Sequence, residues 1–179
     1  MAQTLPDLAA LLPSWQLAMR AERKSPKTIK SYTEGVQAFL RWCQTTDTQP
    51  ELTATTVQAF VADLLDQGAE AATALSRQKA LKRYAVWLVS EGELDTNPLL
   101  GLRSPKQDHK VVHALTDDEL KALIRACAGK DLRDRRDEAI VRLMAETGLR
   151  AGEVVGLQLA DVDLDHGLAT VRRGKGGKG

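Results

Sequence analysis

The sequence has no long hydrophobic run and little cysteine. Charged residues interrupt the apolar stretches every few positions, so none approaches the roughly 18 residues of a membrane-spanning helix. The N-terminus lacks the basic start and apolar segment of a secretory signal peptide. Cys43 and Cys127 lie far apart, and no Cys/His cluster has metal-ligand spacing. These absences predict a protein of a reducing compartment, with neither a membrane span nor a metal site.

A strongly basic composition is also absent. The net charge is +1, residues 1–102 carry ten basic and eleven acidic residues, and residues 103–179 carry fifteen and thirteen. Many nucleic-acid-binding proteins have a high isoelectric point, and this chain does not. Any surface for a polyanion must therefore come from local clusters of lysine and arginine.

Aliphatic residues recur at three- and four-residue spacing through most of the chain, which predicts a mainly helical protein. In residues 1–102 the pattern predicts four helices: about 5–23, one opening at Ser25-Pro26, one from Thr53 to Gly68, and about 71–90. The segment 103–114 is polar, contains Pro105 and lacks periodicity, so it is predicted to be a linker. We expect two units on either side of it.

The second unit, residues 115–179, has a different pattern. Thr116 and Glu119 have capping-box spacing at the start of a helix, and further helices are predicted at about 132–146 and 151–157. Residues 161–167 are predicted to form a turn, and 168–173 a strand that enters a glycine turn. The hairpin partner of that strand is expected beyond residue 179.

The most informative motifs are Thr147-Gly148-Leu149-Arg150 and Gly174-Lys175-Gly176. The first places an arginine between a helix that stops at glycine and a new helix. The second places a lysine on a tight glycine turn. An arginine and a lysine held in this way could grip one phosphate group.

With these motifs, the sequence resembles the tyrosine recombinase (phage integrase) family, most closely its Xer-like members. The resemblance rests on motifs that follow the family's order and spacing: Ser25 to Tyr32, Leu81 to Val89, Asn97-Pro98, Leu115 to Leu120, Arg136 to Ala139, Thr147 to Arg150, and Gly174 to Gly176. It implies a four-helix SAM-like core-binding domain, followed by the N-terminal, helical part of the catalytic domain with the start of a β-hairpin.

The family cleaves one DNA strand at a time through a 3′-phosphotyrosine, without metal or cofactor. By its place in the motif, Arg150 resembles the first catalytic arginine, and Glu153 resembles an acidic residue that supports it. Lys175 resembles the hairpin lysine that protonates the leaving 5′-oxygen. This chemistry suits the residues, because a guanidinium fork matches phosphate oxygens and an alkoxide leaving group needs a proton.

The sequence departs from the family in one respect. None of its three histidines begins a His-x-x-Arg motif, and its two tyrosines, Tyr32 and Tyr84, lie on predicted core stripes. The nucleophile is therefore expected to be absent. The chain looks like a recombinase truncated within its catalytic domain, and by itself it should not cleave DNA.

Two clusters of cations could bind DNA phosphates: Lys24, Lys27, Lys30, Arg77, Lys79, Lys82 and Arg83. The alternative is a solvated charged face. The resemblance favours double-stranded DNA as the partner, which the protein would bind as one arm of a C-shaped clamp. It also implies self-association on DNA in the complete protein, and a cytoplasmic, nucleoid-associated protein encoded by a bacterium or phage.

Other interpretations stay open. The chain could be a non-enzymatic DNA-binding regulator, or a helical protein-interaction module. Arg150 could form a surface ion pair with Glu146 or Glu153, and Lys178 competes with Lys175 for the role in the turn. Gly174 to Gly179 could also open a P-loop, which would require a helix to follow.

Overall fold

The computed structural model describes residues 6–106 and 111–172. It divides into two compact units, Met1–Lys110 (unit 1) and Val111–Gly179 (unit 2). The division falls inside the segment predicted to be a linker. The described residues form seven α-helices and one two-stranded sheet, so the prediction of a mainly α fold is confirmed.

Unit 1 contains four helices: α1 (Leu12–Ala21), α2 (Pro26–Thr45), α3 (Ala54–Asp66) and α4 (Ala71–Ser90). Two of them begin at the predicted caps. The Ser25 hydroxyl accepts a hydrogen bond from the Thr28 amide at 3.1 Å, and the Thr53 hydroxyl accepts one from the Thr56 amide at 3.1 Å. These bonds satisfy amides that would otherwise lack partners in the first turn.

The predicted bounds of the first helix, about 5–23, were wrong, because α1 spans Leu12–Ala21. The Asp7 carboxylate accepts hydrogen bonds from the amides two and three residues ahead, at 3.0 Å each, and so holds residues 8–11 in a turn. Pro13 then lies in the first turn of the helix, where its missing N–H costs nothing. At the other end, Arg23 adopts a left-handed conformation with φ of 58°, which breaks the helix.

The core of unit 1 is apolar and continuous across its helices. The ring centroids of Trp15 and Tyr84 are 4.7 Å apart, and Phe39 meets Phe60 edge-on at 5.5 Å. Other core members are Leu8, Leu12, Met19, Val36, Val57, Leu81, Leu88, Leu99 and Leu102. The three tryptophans lie in this core, with Trp42 half-buried at its edge. Burial of these aromatic and aliphatic side chains is the main contribution that favours folding of unit 1.

The two longest helices, α2 and α4, pack closely against each other. At their crossing, Gly35 of α2 faces Ala80 of α4, and a methyl group added to Gly35 would overlap the Ala80 Cβ. Both residues are buried. The small side chains therefore allow the two backbones to approach at this point.

Unit 2 contains α5 (Asp117–Ala126), α6 (Leu132–Thr147), α7 (Ala151–Val155) and a 3₁₀ turn (Leu159–Asp161). The predicted capping box at the start of α5 is confirmed. The Glu119 carboxylate accepts a hydrogen bond from the Thr116 amide at 2.8 Å, and the Thr116 hydroxyl accepts one from the Glu119 amide at 3.3 Å. These bonds hold the pKa of Glu119 below its usual range.

The hairpin differs from its prediction. Strand β1 (Val162–Asp163) lies in the segment predicted to be a turn, and it pairs antiparallel with β2 (Leu168–Ala169). One partner of the predicted strand therefore precedes it, and the partner expected beyond residue 179 stays a prediction. Asp163 explains the tight connection, because its carboxylate accepts hydrogen bonds from the Asp165 and His166 amides at 3.0 Å each. Gly167 closes the loop with φ of 65°.

Candidate functional site

The candidate site is built around the junction of α6 and α7. Helix α6 ends at Gly148, which adopts the left-handed conformation with φ of 68° and donates its amide to the Met144 carbonyl at 3.0 Å. The Leu149 amide donates to the Thr147 hydroxyl at 3.3 Å. Arg150 then takes the extended conformation of an N-cap residue before α7. The sharp turn thus fixes the backbone that carries the arginine.

Glu153 binds both ends of Arg150. One carboxylate oxygen accepts the Arg150 amide at 2.9 Å, and the other accepts Nη1 of the guanidinium at 2.9 Å. The hydrogen bonds from the Arg150 amide and side chain hold the pKa of Glu153 below its usual range, so it remains a carboxylate. The side chain of Glu153 is 13% exposed, whereas that of Arg150 is 71% exposed.

This arrangement leaves the arginine able to bind an anion. A guanidinium has five N–H donors in a rigid plane, and the bond to Glu153 occupies one terminal nitrogen. The exposed side of the fork can still reach a phosphate or carboxylate. The bond between Arg150 and Glu153 fits both interpretations of Glu153. It is the predicted surface ion pair, and it is also the contact by which Glu153 would support a catalytic arginine.

Unit 2 contains a second hydrogen-bonded cluster, centred on Asp161, which the sequence motifs did not indicate. Asp161 is the one buried residue among residues 111–172. Its carboxylate accepts hydrogen bonds from the Gln158 amide at 2.9 Å and from Nε of Arg172. Its carbonyl accepts the Thr170 amide at 2.8 Å. Asp161 therefore fastens the hairpin to the turn before it, and the three-residue spacing from Gln158 is the signal that could have revealed it.

Lys175 and its competitor Lys178 lie outside the described residues, as does the whole stretch Gly174 to Gly179. The convergence of Arg150 and Lys175 on one phosphate stays a prediction, and so does the P-loop alternative.

The cations near the start of α2 lie beside an open groove. Lys24, Lys27 and Lys30 are all exposed, and Lys24 and Lys30 line a concavity of about 510 Å³ between α1 and α2, together with Arg20. Lys24 lies 3.4 Å from Glu22, and Lys30 lies 3.9 Å from Glu34. Such exposed ion pairs contribute little and leave the lysines free to exchange partners.

The cations of α4 divide into two kinds. Lys79 and Arg83 are exposed, and Arg77 is half-buried beside Gly35 of α2. Lys82 instead directs its ammonium to the Leu102 carbonyl and lies 3.4 Å from the Ser104 hydroxyl. Its contacts are therefore with a backbone carbonyl and a side-chain hydroxyl of unit 1 itself.

Neither tyrosine of the sequence is placed as a nucleophile. Tyr84 is fully buried, and its hydroxyl donates to the Leu8 carbonyl at 2.8 Å. Burial raises the pKa of Tyr84 well above its usual range. Tyr32 is half-buried and stacks on Trp15, with ring centroids 6.1 Å apart. Both tyrosines therefore lie in or against the core of unit 1, as predicted from their positions on the apolar faces of their helices.

Two family models match most of the chain. Residues 11–91 match the phage integrase N-terminal SAM-like domain, and residues 113–179 match the phage integrase family. Together with the fold and the relatives described next, these matches show that the chain belongs to the phage integrase family of tyrosine recombinases. The prediction of that family from sequence motifs is confirmed.

The relatives are bacterial recombinases of the Xer type. Tyrosine recombinase XerC of Chromobacterium violaceum is 34% identical over 155 residues, which cover 87% of this chain and 51% of that protein. XerC of Xanthomonas campestris pv. campestris (strain B100) is 32% identical over 163 residues, covering 89% and 50%. The chain spans about half the length of these curated relatives.

Solved structures agree on the fold. A lambda integrase dimer bound to a COC′ core site superposes with a TM-score of 0.72 and 22% identity, over 95% of this chain and 46% of that one. A lambda integrase tetramer bound to a Holliday junction gives 0.73 and 21%, over 95% and 48%. At this identity the likeness supports the fold.

Among the described residues, no helix combines the length and the apolar character that crossing a bilayer requires.

Proposed function

We propose that this chain is the DNA-binding portion of a site-specific tyrosine recombinase, to which it also contributes Arg150 and Glu153 of the cleavage site. The observation that carries this proposal is the geometry at the Thr-Gly-Leu-Arg motif. There a mostly exposed guanidinium is held by a mostly buried carboxylate. Family membership supplies the reaction class, and the exposed cations of unit 1 supply a surface for the substrate.

In the proposed reaction, Arg150 binds the non-bridging oxygens of the scissile phosphate. Charge on these oxygens grows as the phosphorus becomes five-coordinate, so fixed donors stabilise the transition state more than the ground state. Glu153 contributes by holding the guanidinium and the backbone of the turn in one orientation. Because the pKa of Glu153 is lowered by its hydrogen bonds to Arg150, the carboxylate keeps this role in acidic solution as well as at neutral pH.

Lys175 is proposed to protonate the leaving 5′-oxygen, on the strength of its place in the motif. The proposed reaction uses no cofactor. We assign the nucleophilic tyrosine to a part of the complete recombinase outside these 179 residues, because Tyr84 is fully buried and Tyr32 packs against the core. The chain alone should then bind DNA without cutting it.

The proposed DNA surface of unit 1 consists of exposed or half-exposed cations in the turn before α2, on α2 and on α4: Lys24, Lys27, Lys30, Arg77, Lys79, Lys82 and Arg83. Their contacts would be to phosphates, which position a protein on the duplex without reading its sequence. Among them, Lys82 is the member whose ammonium already has a backbone carbonyl as partner.

We extend two further properties to the complete protein. Self-association on DNA is supported by the lambda integrase structures, which are described as a dimer on a core site and a tetramer on a Holliday junction. A cytoplasmic location beside the nucleoid follows from the proposed substrate.

Salt dependence tests the binding proposal. The 179-residue chain should bind duplex DNA at low salt, and its affinity should fall steeply as salt rises. The double substitution Lys79→Gln with Arg83→Gln should reduce the log–log slope by about 1.8, since each lost phosphate contact removes about 0.9. The matched control neutralises Lys121 and Arg125 of α5, which have the same spacing and charge. Absence of binding to any duplex would favour a protein-interaction module.

Strand cleavage tests the role of Arg150. In the recombinase that carries these residues with the rest of the catalytic domain, Arg150→Ala should reduce cleavage by about 100-fold or more, since one fixed donor of this kind contributes that much. Site binding should change little. The control is Arg142→Ala, which removes an exposed arginine paired with Glu138 at 2.8 Å. Loss of binding instead would make Arg150 a docking residue, and binding without any cleavage by the unsubstituted protein would favour a regulator.

A further inference from the structure

Two polar side chains of α4 hold the segment that leaves unit 1. Nε2 of Gln78 donates to the Arg103 carbonyl at 3.0 Å, and the ammonium of Lys82 donates to the Leu102 carbonyl. Lys82 also lies 3.4 Å from the Ser104 hydroxyl. Gln78 and Lys82 are one helical turn apart, so they face the same side of α4. We propose that they are positioning residues, which fix the direction in which the chain leaves unit 1 toward unit 2.

The anchoring begins with apolar contacts. Leu99 and Leu102 are 2% and 8% exposed and belong to the core of unit 1. The Asn97 side chain accepts the Leu99 amide at 2.9 Å and shapes the turn before them. Burial alone would leave residue 103 free to turn in many directions. The hydrogen bonds from α4 extend the ordered path past the last buried leucine.

The burial of Gln78 indicates that its amide has a directional role. Gln78 is 1% exposed, and its Oε1 has no hydrogen-bond partner among the described residues. An unpartnered buried amide oxygen is costly, and an apolar side chain of similar size would avoid that cost. What the amide adds is the bond from Nε2 to the Arg103 carbonyl. Gln78 is therefore better suited to holding the exit segment than to stabilising the core.

The consequence for binding rests on the proposed function. If both units contact one duplex, then binding by unit 1 raises the effective concentration of unit 2 at its own contacts. A segment with a fixed exit direction restricts the volume that unit 2 explores, and so increases that concentration. Loss of the Gln78 bond should weaken binding by the whole chain without changing the number of phosphates contacted.

Limited trypsin digestion of the 179-residue chain without DNA tests the anchor. The substitution Gln78→Leu keeps the charge and the side-chain size and removes the bond to Arg103. Cleavage after Arg103 should become about fivefold faster, as expected when a bond that restrains local opening is lost. Cleavage after Arg41, which is exposed within α2, should not change and reports on the folding of unit 1. Gln58→Leu, at an exposed position of α3, is the matched control.

Two results of the digestion would overturn the proposal. Unchanged cleavage after Arg103 would overturn the proposal. So would an equal acceleration at Arg103 and Arg41, because that result would make Gln78 an ordinary core residue. If Gln78→Leu does not fold, Gln78→Met serves the same purpose. Lys82→Met should likewise accelerate cleavage after Arg103.

DNA binding by the same variants tests the functional consequence. Gln78→Leu should lower affinity severalfold at every salt concentration and leave the log–log slope unchanged. Lys79→Gln should instead reduce the slope by about 0.9. Unchanged affinity in Gln78→Leu would overturn the link between the anchor and binding. If the unsubstituted chain bound no DNA, the proposed function would fail and that link with it, whereas the digestion would still decide whether the anchor exists.

Discussion

The crossing of α2 and α4 allows a sharp test of packing in unit 1. The perturbation is Gly35→Ala, which adds one methyl group in a helix where backbone geometry is ordinary. That methyl group would overlap the Cβ of Ala80, which is fully buried on α4. The atom in the way is fixed to the backbone, so relief requires the two helices to separate. We therefore expect Gly35→Ala to destabilise unit 1.

Two opposing effects determine how much Gly35→Ala changes the free energy of unfolding. Overpacking a close contact costs about 1–3 kcal/mol. Replacing a helical glycine by alanine returns about 0.5–1 kcal/mol, since alanine loses less conformational entropy. With the midpoints of these two ranges, the net loss for Gly35→Ala should be about 1.3 kcal/mol. In a domain of about 100 residues, each kcal/mol lowers Tm by about 4–8 °C.

A double-mutant cycle isolates the contact. Ala80→Gly alone should cost about 1.5–2 kcal/mol, from lost helix propensity and one buried methyl group. The pair Gly35→Ala with Ala80→Gly moves the methyl group across the interface and removes the overlap. It should be within about 1 kcal/mol of the unsubstituted chain, so the two single effects should not add.

Tryptophan fluorescence during urea denaturation measures these changes selectively. All three tryptophans of the chain, Trp15, Trp42 and Trp87, lie in unit 1, so the signal reports on that unit. The free energy of unfolding follows from linear extrapolation with a constant m-value. Gly35→Ala with stability equal to or above that of the unsubstituted chain would refute the close crossing, and so would strict additivity in the cycle.

Three further predictions concern single polar groups. Tyr84→Phe should cost about 1 kcal/mol at neutral pH by removing a buried hydrogen bond. Because the pKa of Tyr84 is raised on folding, the stability linked to its titration is present below about pH 10 and lost above it. The phenylalanine variant should lack that part of the alkaline loss in a denaturation series. Asp161→Asn should accelerate hydrogen exchange at the Thr170 amide, whereas Asp165→Asn, at an exposed position, should not. Glu153→Gln should reduce strand cleavage by the complete recombinase less than loss of Arg150 does, and cleavage that drops to the same level would make Glu153 more than a support.

Local signals gave the helix starts because capping is a local interaction. Ser25, Thr53 and Thr116 each place a hydroxyl within reach of an amide three residues ahead, and all three cap helices in the structure. The stop of α6 at Gly148 followed from the same logic, since glycine readily adopts the left-handed conformation. Interactions between neighbours in sequence need no knowledge of the fold.

The start of α1 and strand β1 were predicted wrongly because other interactions competed with the local sequence pattern or lay outside it. The turn at residues 8–11 is stabilised by hydrogen bonds from two amides to the Asp7 carboxylate, although the spacing of the leucines there predicts a helix. Strand β1 is only two residues long, too short for alternation to be visible, and its pairing depends on Asp163 at its own end and on Gly167 in the loop. Short elements are specified by their partners more than by their own residues.

For the candidate site, sequence motifs identified Arg150 and Glu153, and a spacing of three residues at the start of a helix was enough to bring them together. The seven DNA-binding candidates were chosen by charge, which does not reveal what each ammonium contacts. Lys82 shows the difference, because its partner is a carbonyl 20 residues away.

By itself, the sequence determined the helical class, the family, the caps and the motif that carries the arginine, since these depend on residue type and short spacing. Only the tertiary structure decided that Gly35 meets Ala80 and that α4 holds the exit segment. Those contacts join residues that are distant in sequence. They form because a close-packed interior fixes which helix faces meet, and this choice depends on all of the packed side chains together.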